Sequence, residues 1–298
     1  MGHSHDHHHA TNKKALFWSF LAIFTFMFVE AIGGFLTNSL ALLSDAGHML
    51  SDAFALGLSL IAFKIGSKQA TYNNTYGFRR FEIIAALVNG ITLIAISLYI
   101  FYEAWQRFTK PPEVSASMMI IATIGLVVNI LVFFILMRGD SQENLNIKSA
   151  LLHVLGDLLG SIGAIIAGLL IYLFGWNIAD PIASVLVSVL ILISGMHIAK
   201  DALHILMEGK PAHVDTAKIH EQLSTLKGVI DVHDLHVWSI TTEFPALSCH
   251  IVVDPSVDRD TLLIEANDLI KQTFNIDHCT VQIEGYNTSV HRNCNSCH

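Results

Sequence analysis

The sequence predicts an α-helical membrane domain of six transmembrane helices followed by a small α+β domain. Three observations carry this reading. Of 298 residues, 52% are hydrophobic and only 14% charged, whereas a soluble domain carries about 25% charged residues. The shortage is local. Residues 209–298 hold 6 Lys/Arg and 12 Asp/Glu, a charge of -6, which leaves -2 of the formal -8 for the first 208 residues. Finally, apolar stretches of bilayer length, about 20 residues, recur along that first part. The acidic tail is long enough for one small domain. No basic face is available to neutralise phosphates, so a nucleic-acid partner is excluded.

The apolar stretches run over 15–36, 39–63, 83–101, 118–137, 150–174 and 178–198. The first follows Lys13 and Lys14 but is too long for a signal h-region and lacks a small-x-small cleavage site, so it reads as a retained helix. Short loops fix the orientation. With the N-terminus inside, the inner segments hold Lys13, Lys14, Lys64, Lys68, Arg79, Arg80, Arg138, Lys148 and Lys200, and the outer segments hold only Arg107 and Lys110. The bias places both termini in the cytoplasm. Thr37 marks a minimal outer turn, and Pro111-Pro112 and Gly175-Trp176 mark the other two.

The tail reads as αββαβ. A helical period spans 214–226 and stops at Gly228; β-branched runs follow at 229–241 and 246–254. A second amphipathic helix covers 258–274, and a short strand 279–284. That order suggests a small sheet with two helices on one face, a ferredoxin-like arrangement. The domain division is therefore a His-rich cytoplasmic segment at 1–14, a transmembrane domain at 15–200, a cytoplasmic metal-binding domain at 209–285, and a Cys/His tail at 286–298.

Ionisable residues inside a span are costly and mark function. The second span contains His48 and Asp52, and the fifth contains His153 and Asp157. In each pair His and Asp lie four apart, on one helix face about one turn from each other. A single such pair also serves as a packing hydrogen bond. Two copies at the same spacing favour a metal. Two imidazoles and two carboxylates suit tetrahedral Zn2+, whereas Mg2+ and Ca2+ want oxygen alone. Asp45 shares the face of His48 and ranks below the four, as a carboxylate that orients an imidazole or carries a proton. In the fifth span Gly156, Gly160, Gly163 and Ala167 form a small-residue stripe that permits close helix approach.

The same ligands supply a driving mechanism. Zn2+ requires neutral imidazole and ionised carboxylate, so metal and protons compete for the site. A site open alternately to each side exchanges one for the other. The chain lacks a Walker A sequence for ATP use, and it lacks HExxH and GxSxG, so no enzyme is indicated.

At these residues the chain resembles the cation diffusion facilitator family of six-span zinc/proton antiporters. The likeness covers the six spans, the HxxxD of the second and fifth, the αββαβ tail, and His233-Asp234-Leu235-His236-Val237-Trp238. The His/Asp pairing resembles the zinc-selective subgroup that includes zinc, cobalt and cadmium exporters. The resemblance implies that His48, Asp52, His153 and Asp157 form the transport site. It implies a homodimer in the cell membrane that exports Zn2+ from the cytoplasm in exchange for protons, with Cd2+ or Co2+ as possible alternative cargo. A membrane metal sensor that binds zinc without moving it is the alternative. Such a sensor needs ligands only in the tail.

The resemblance also places metal ligands at His233, His250 and Glu284, on three neighbouring strands, with Glu284 where some members carry Asp. Cys294 and Cys297 form a CxxC, a two-thiolate zinc clamp. Some members pair that clamp with an N-terminal His-rich segment, here His5 and His7. Their interrupted pattern differs from the consecutive run of an affinity tag. The loop 64–80 lacks His, Asp, Glu and Cys, so no metal site is expected there. Cys279 reads as a core residue.

Overall fold

The computed structural model describes residues 4–37, 40–109, 116–138, 144–176 and 178–286; the side chains of some helical positions, among them His5, His7, Asp45 and His48, lie outside that description. Two compact units divide between Leu203 and His204.

The first unit is helical: α1 (Ser4–Thr37), α2 (Leu40–Gly66), α3 (Arg80–Thr109), α4 (Ala116–Leu136), α5 (Leu145–Phe174) and α6 (Ala179–Leu206). Each corresponds to one apolar stretch, and several run beyond it. Helical hydrogen bonding does not stop where the apolar run stops; it continues while good helix formers follow. So α1 begins at Ser4 rather than residue 15, through a segment with Ala10, Lys13 and Lys14 and no Gly or Pro. Likewise α6 runs on through Lys200 and Ala202. Among the described residues, Arg80–Gln106 and Ser184–Leu206 are long and apolar enough to cross a membrane, and Lys14–Val29 and Thr123–Leu136 are shorter apolar helices.

One core joins α1, α2, α4 and α5 through Leu16, Ile23, Leu56, Val132, Leu136, Ile147 and Val154. A smaller one joins α3 and α6 through Leu93, Ile191 and Ile198. There the backbones nearly touch. A Cβ on Gly195 would lie 3.0 Å from the Gly90 carbonyl oxygen, and one on Gly90 would lie 3.2 Å from that of Gly195. Glycine at both positions is what permits this crossing. Large apolar side chains such as Phe54, Trp105 and Leu186 point outward and are exposed, a surface suited to lipid rather than water.

The second unit contains α7 (Thr216–Ser224), β1 (Val229–Thr241), β2 (Phe244–Val253), α8 (Arg259–Phe274) and β3 (His278–Gly285). The sheet order is β1-β2-β3, antiparallel between β1 and β2 and parallel between β2 and β3. The parallel pair is connected by α8, as a parallel connection requires. Asp215 caps α7, its Oδ1 accepting from the Ala217 and Lys218 amides, and Asp258 caps α8. Ile219 and Leu223 of α7 and Leu262, Ala266 and Ile270 of α8 share one core with Val232, Leu247, Cys249, Ile251 and Val253 of the sheet. The alternate residues of the strands, His250 among them, therefore lie on the sheet face away from the helices.

Candidate metal centres

In the helical unit α2 supplies Asp52 and α5 supplies His153 and Asp157. His153 Nε2 lies 2.7 Å from Asp52 Oδ1, a hydrogen bond between the two helices. The same nitrogen is 3.8 Å from Asp157 Oδ2. Both Asp52 and His153 are buried, at 3% and 7% exposure. The four-residue spacing on α5 brings His153 and Asp157 to one face, as the sequence indicates. One ligand atom from each of the three residues lies within 4.8 Å of the other two, a cluster a zinc ion bonding at about 2.0–2.2 Å can draw together. His48 belongs to α2 one turn before Asp52, and Asp45 to the same helix; the side chains of both lie outside the described residues.

The sheet register builds the second cluster. His233 of β1 is directly opposite His250 of β2. Glu284 of β3 pairs with Val252, two residues from His250, and so shares its face. His250 Nδ1 is 3.1 Å from Glu284 Oε1, and His233 Nε2 is 3.6 Å from Glu284 Oε2. The two imidazoles meet edge to face, with ring centroids 5.1 Å apart. Glu284 is 4% exposed. His250 Nδ1 and Glu284 Oε2 are buried and make no hydrogen bond, an arrangement that costs free energy unless a cation completes it. Two imidazoles and one carboxylate fit Zn2+, which would be held by His233, His250 and Glu284 and would tie three strands together. The Gln282 amide donates to Glu284 Oε1 at 2.7 Å and fixes the carboxylate.

Other histidines take structural partners. His220 Nε2 lies 2.9 Å from the Val232 carbonyl, and His204 Nε2 lies 2.9 Å from that of Lys210. Burial pushes the Cys249 thiol up to about 12, and burial also raises that of Cys279, whose Sγ donates to Asn267 Oδ1. Neither is a thiolate ligand at neutral pH. Cys294 and Cys297 lie outside the described residues, as do the side chains of His5 and His7.

Two groups emerge to which the sequence reading gave no role. Glu82, buried in the first turn of α3, accepts from Asn144 Nδ2 at 3.5 Å, and its backbone carbonyl accepts from Asn146 Nδ2 at 3.1 Å. Asn144 Oδ1 in turn caps α5, taking the Asn146 and Ile147 amides. Glu82 also crowds Gly66, where a Cβ would lie 2.6 Å from its Oε1. One buried carboxylate thus joins the end of α2 and the starts of α3 and α5. An acid immediately before the apolar run at Ile83 was the available signal. The second group is Asp234, beside the tail cluster.

Comparison with known proteins identifies the family. The family described as the cation efflux transmembrane domain matches residues 16–207, and the cation efflux protein cytoplasmic domain matches residues 211–286. The chain belongs to the cation efflux, or cation diffusion facilitator, family: integral membrane transporters, not enzymes. Among its relatives is a cadmium, cobalt and zinc/H(+)-K(+) antiporter of Bacillus velezensis, 51% identical over 99% of this chain and 95% of that protein. The zinc transporter ZitB of Escherichia coli is 43% identical over 95% and 93%. These relatives group the chain with the zinc-selective subgroup. A solved metal-bound C-terminal domain of the CzcD transporter from Cuprividus metallidurans is 35% identical, covers 24% of this chain and 99% of that one, and has a TM-score of 0.23.

Proposed function

We propose that this chain is a Zn2+/H+ antiporter that exports zinc from the cytoplasm through His48, Asp52, His153 and Asp157. The convergence of Asp52 and Asp157 on His153, at 2.7 and 3.8 Å, is the observation that carries this reading. Zinc is the cargo. It binds the neutral imidazoles and ionised carboxylates, and protons displace it from them. The Asp52–His153 hydrogen bond between α2 and α5 is the protonated counterpart of the metal-bound state. With protons richer outside, exchange drives zinc outward. The antiporter name of the Bacillus relative supports proton coupling and extends the cargo to Cd2+ and Co2+. Asp45 serves the site as an orienting carboxylate or proton carrier.

In this reading all six helices span the cell membrane, both termini are cytoplasmic, and the protein works as a homodimer. The match to the family's cytoplasmic domain supports the dimer. His233, His250 and Glu284 hold a resident zinc in each tail, and Cys294 and Cys297, with His5 and His7, form a further cytoplasmic site. With zinc bound there, the two tails would be drawn together and the membrane helices biased, which is regulation by differential affinity for two states. The test is proton counterflow. Proteoliposomes containing a pH-sensitive dye, given a Zn2+ gradient, release protons against the zinc flow. Zinc binding without flux or proton movement overturns transport in favour of a sensor.

A further inference from the structure

Asp234 follows a proposed zinc ligand, and in a regular strand its side chain would face away from that ligand's side of the sheet. The structure re-aims it. His233 pairs with His250, but His236 pairs with Ser248, so β1 carries one more residue than β2 across this interval. The extra residue makes a bulge, and Asp234 adopts a left-handed backbone, φ 52°, to form it. Asp is among the few residues other than glycine that tolerate this conformation. As a result its carboxylate lies between two imidazoles. Oδ1 is 2.8 Å from His236 Nε2, and Oδ2 is 3.7 Å from His250 Nε2.

His250 therefore has a carboxylate on each side. Nδ1 faces Glu284 and the zinc position, and Nε2 faces Asp234. An imidazole can give its lone pair to a metal from one nitrogen only while the other carries the proton. We propose that Asp234 is the positioning residue of the tail zinc site: its carboxylate, 3.7 Å from His250 Nε2, favours the proton on that nitrogen and so holds the tautomer and ring orientation that present Nδ1 to zinc. His236 occupies the other carboxylate oxygen and keeps Asp234 turned toward the sheet. This rests on the reading of His233, His250 and Glu284 as a zinc site, and it makes the bulge part of that site.

The test uses the full chain carrying Asp157→Ala, Cys294→Ser and Cys297→Ser, with His3, His5, His7, His8 and His9 also replaced by Ala, so that the tail triad is the zinc site observed. Zn2+ is titrated against a competing chelator. This background binds zinc at the triad, and adding His250→Ala abolishes it; no binding in the background would defeat the triad reading itself. With the triad established, Asp234→Gly, which keeps the left-handed backbone, weakens zinc affinity by about 10–100-fold, the range for an outer partner of a ligating histidine. Asp234→Asn, which retains an acceptor oxygen, recovers part of the loss. The unfolding temperature of the metal-free protein is the same in both. Affinity for Asp234→Gly within about twofold of background, far short of that range, overturns the proposal. So does an Asn variant no better than Gly, or a loss of metal-free stability that accounts for the weaker binding.

Discussion

Asp52 and His153, 101 positions apart in the chain, meet at 2.7 Å in the interior of the helical unit. The contact joins α2 to α5 at the residues proposed to hold the cargo. Asp52→Asn keeps the shape of the side chain but removes the negative charge that zinc needs. The expected outcome is a folded protein whose zinc flux falls by about tenfold or more, since losing a ligand costs at least what losing an outer partner does. Flux of a fluorescent zinc reporter in vesicles, beside a thermal unfolding trace, checks it.

The Glu82 junction predicts a stability effect separate from transport chemistry. Asn144 caps α5 and donates to Glu82. Asn144→Ala removes both contacts, and a lost cap costs about 0.5–2 kcal/mol. The measurement is the unfolding temperature in detergent, which should drop. Unchanged stability would mean the junction is not holding these helix ends.

The tail carries a pH signature at Asp254. The Ser256 hydroxyl and amide both donate to its Oδ1 and hold its carboxyl below the usual carboxylate value. A lowered folded value means that this contribution is complete above the ordinary carboxylate range, about pH 4. It is lost as pH falls through the folded value. Ser256→Ala should therefore lower stability at neutral pH and change it little in acid well below about pH 4, so that the variant loses less stability on acidification. Denaturant titrations at several pH values compare the two proteins.

Cys249 should be inert. It is buried in the sheet core, its thiol raised to about 12 by burial. At pH 8 the native protein should leave Cys249 unmodified by an alkylating reagent, and denatured protein should label it. Peptide mass spectrometry distinguishes the two; rapid native labelling would contradict the burial.

Most of the architecture was legible in the sequence, because each element had a strong local signal. The apolar runs mark α1 to α6, and the helical periods over 214–226 and 258–274 mark the two tail helices, whose ends the structure sets at Thr216–Ser224 and Arg259–Phe274. The HxxxD spacing gave a shared face to His153 and Asp157 because helix geometry alone decides it. Asp234 was not legible. Its direction depends on a bulge, and a bulge is a mismatch between two strands that neither strand shows by itself. Glu82 was missed for a similar reason. An acid at a helix start reads as a surface residue until Asn144 and Asn146, some sixty positions later, bury it.

The central claim is exchange of zinc for protons at one intramembrane site. It is tested most directly by zinc flux in proteoliposomes under an imposed pH gradient, comparing the unmodified chain with Asp157→Ala. The account predicts zinc movement that follows the proton gradient, reverses with it, and is absent in the variant. Zinc movement indifferent to the gradient, or equal in the variant, would contradict it.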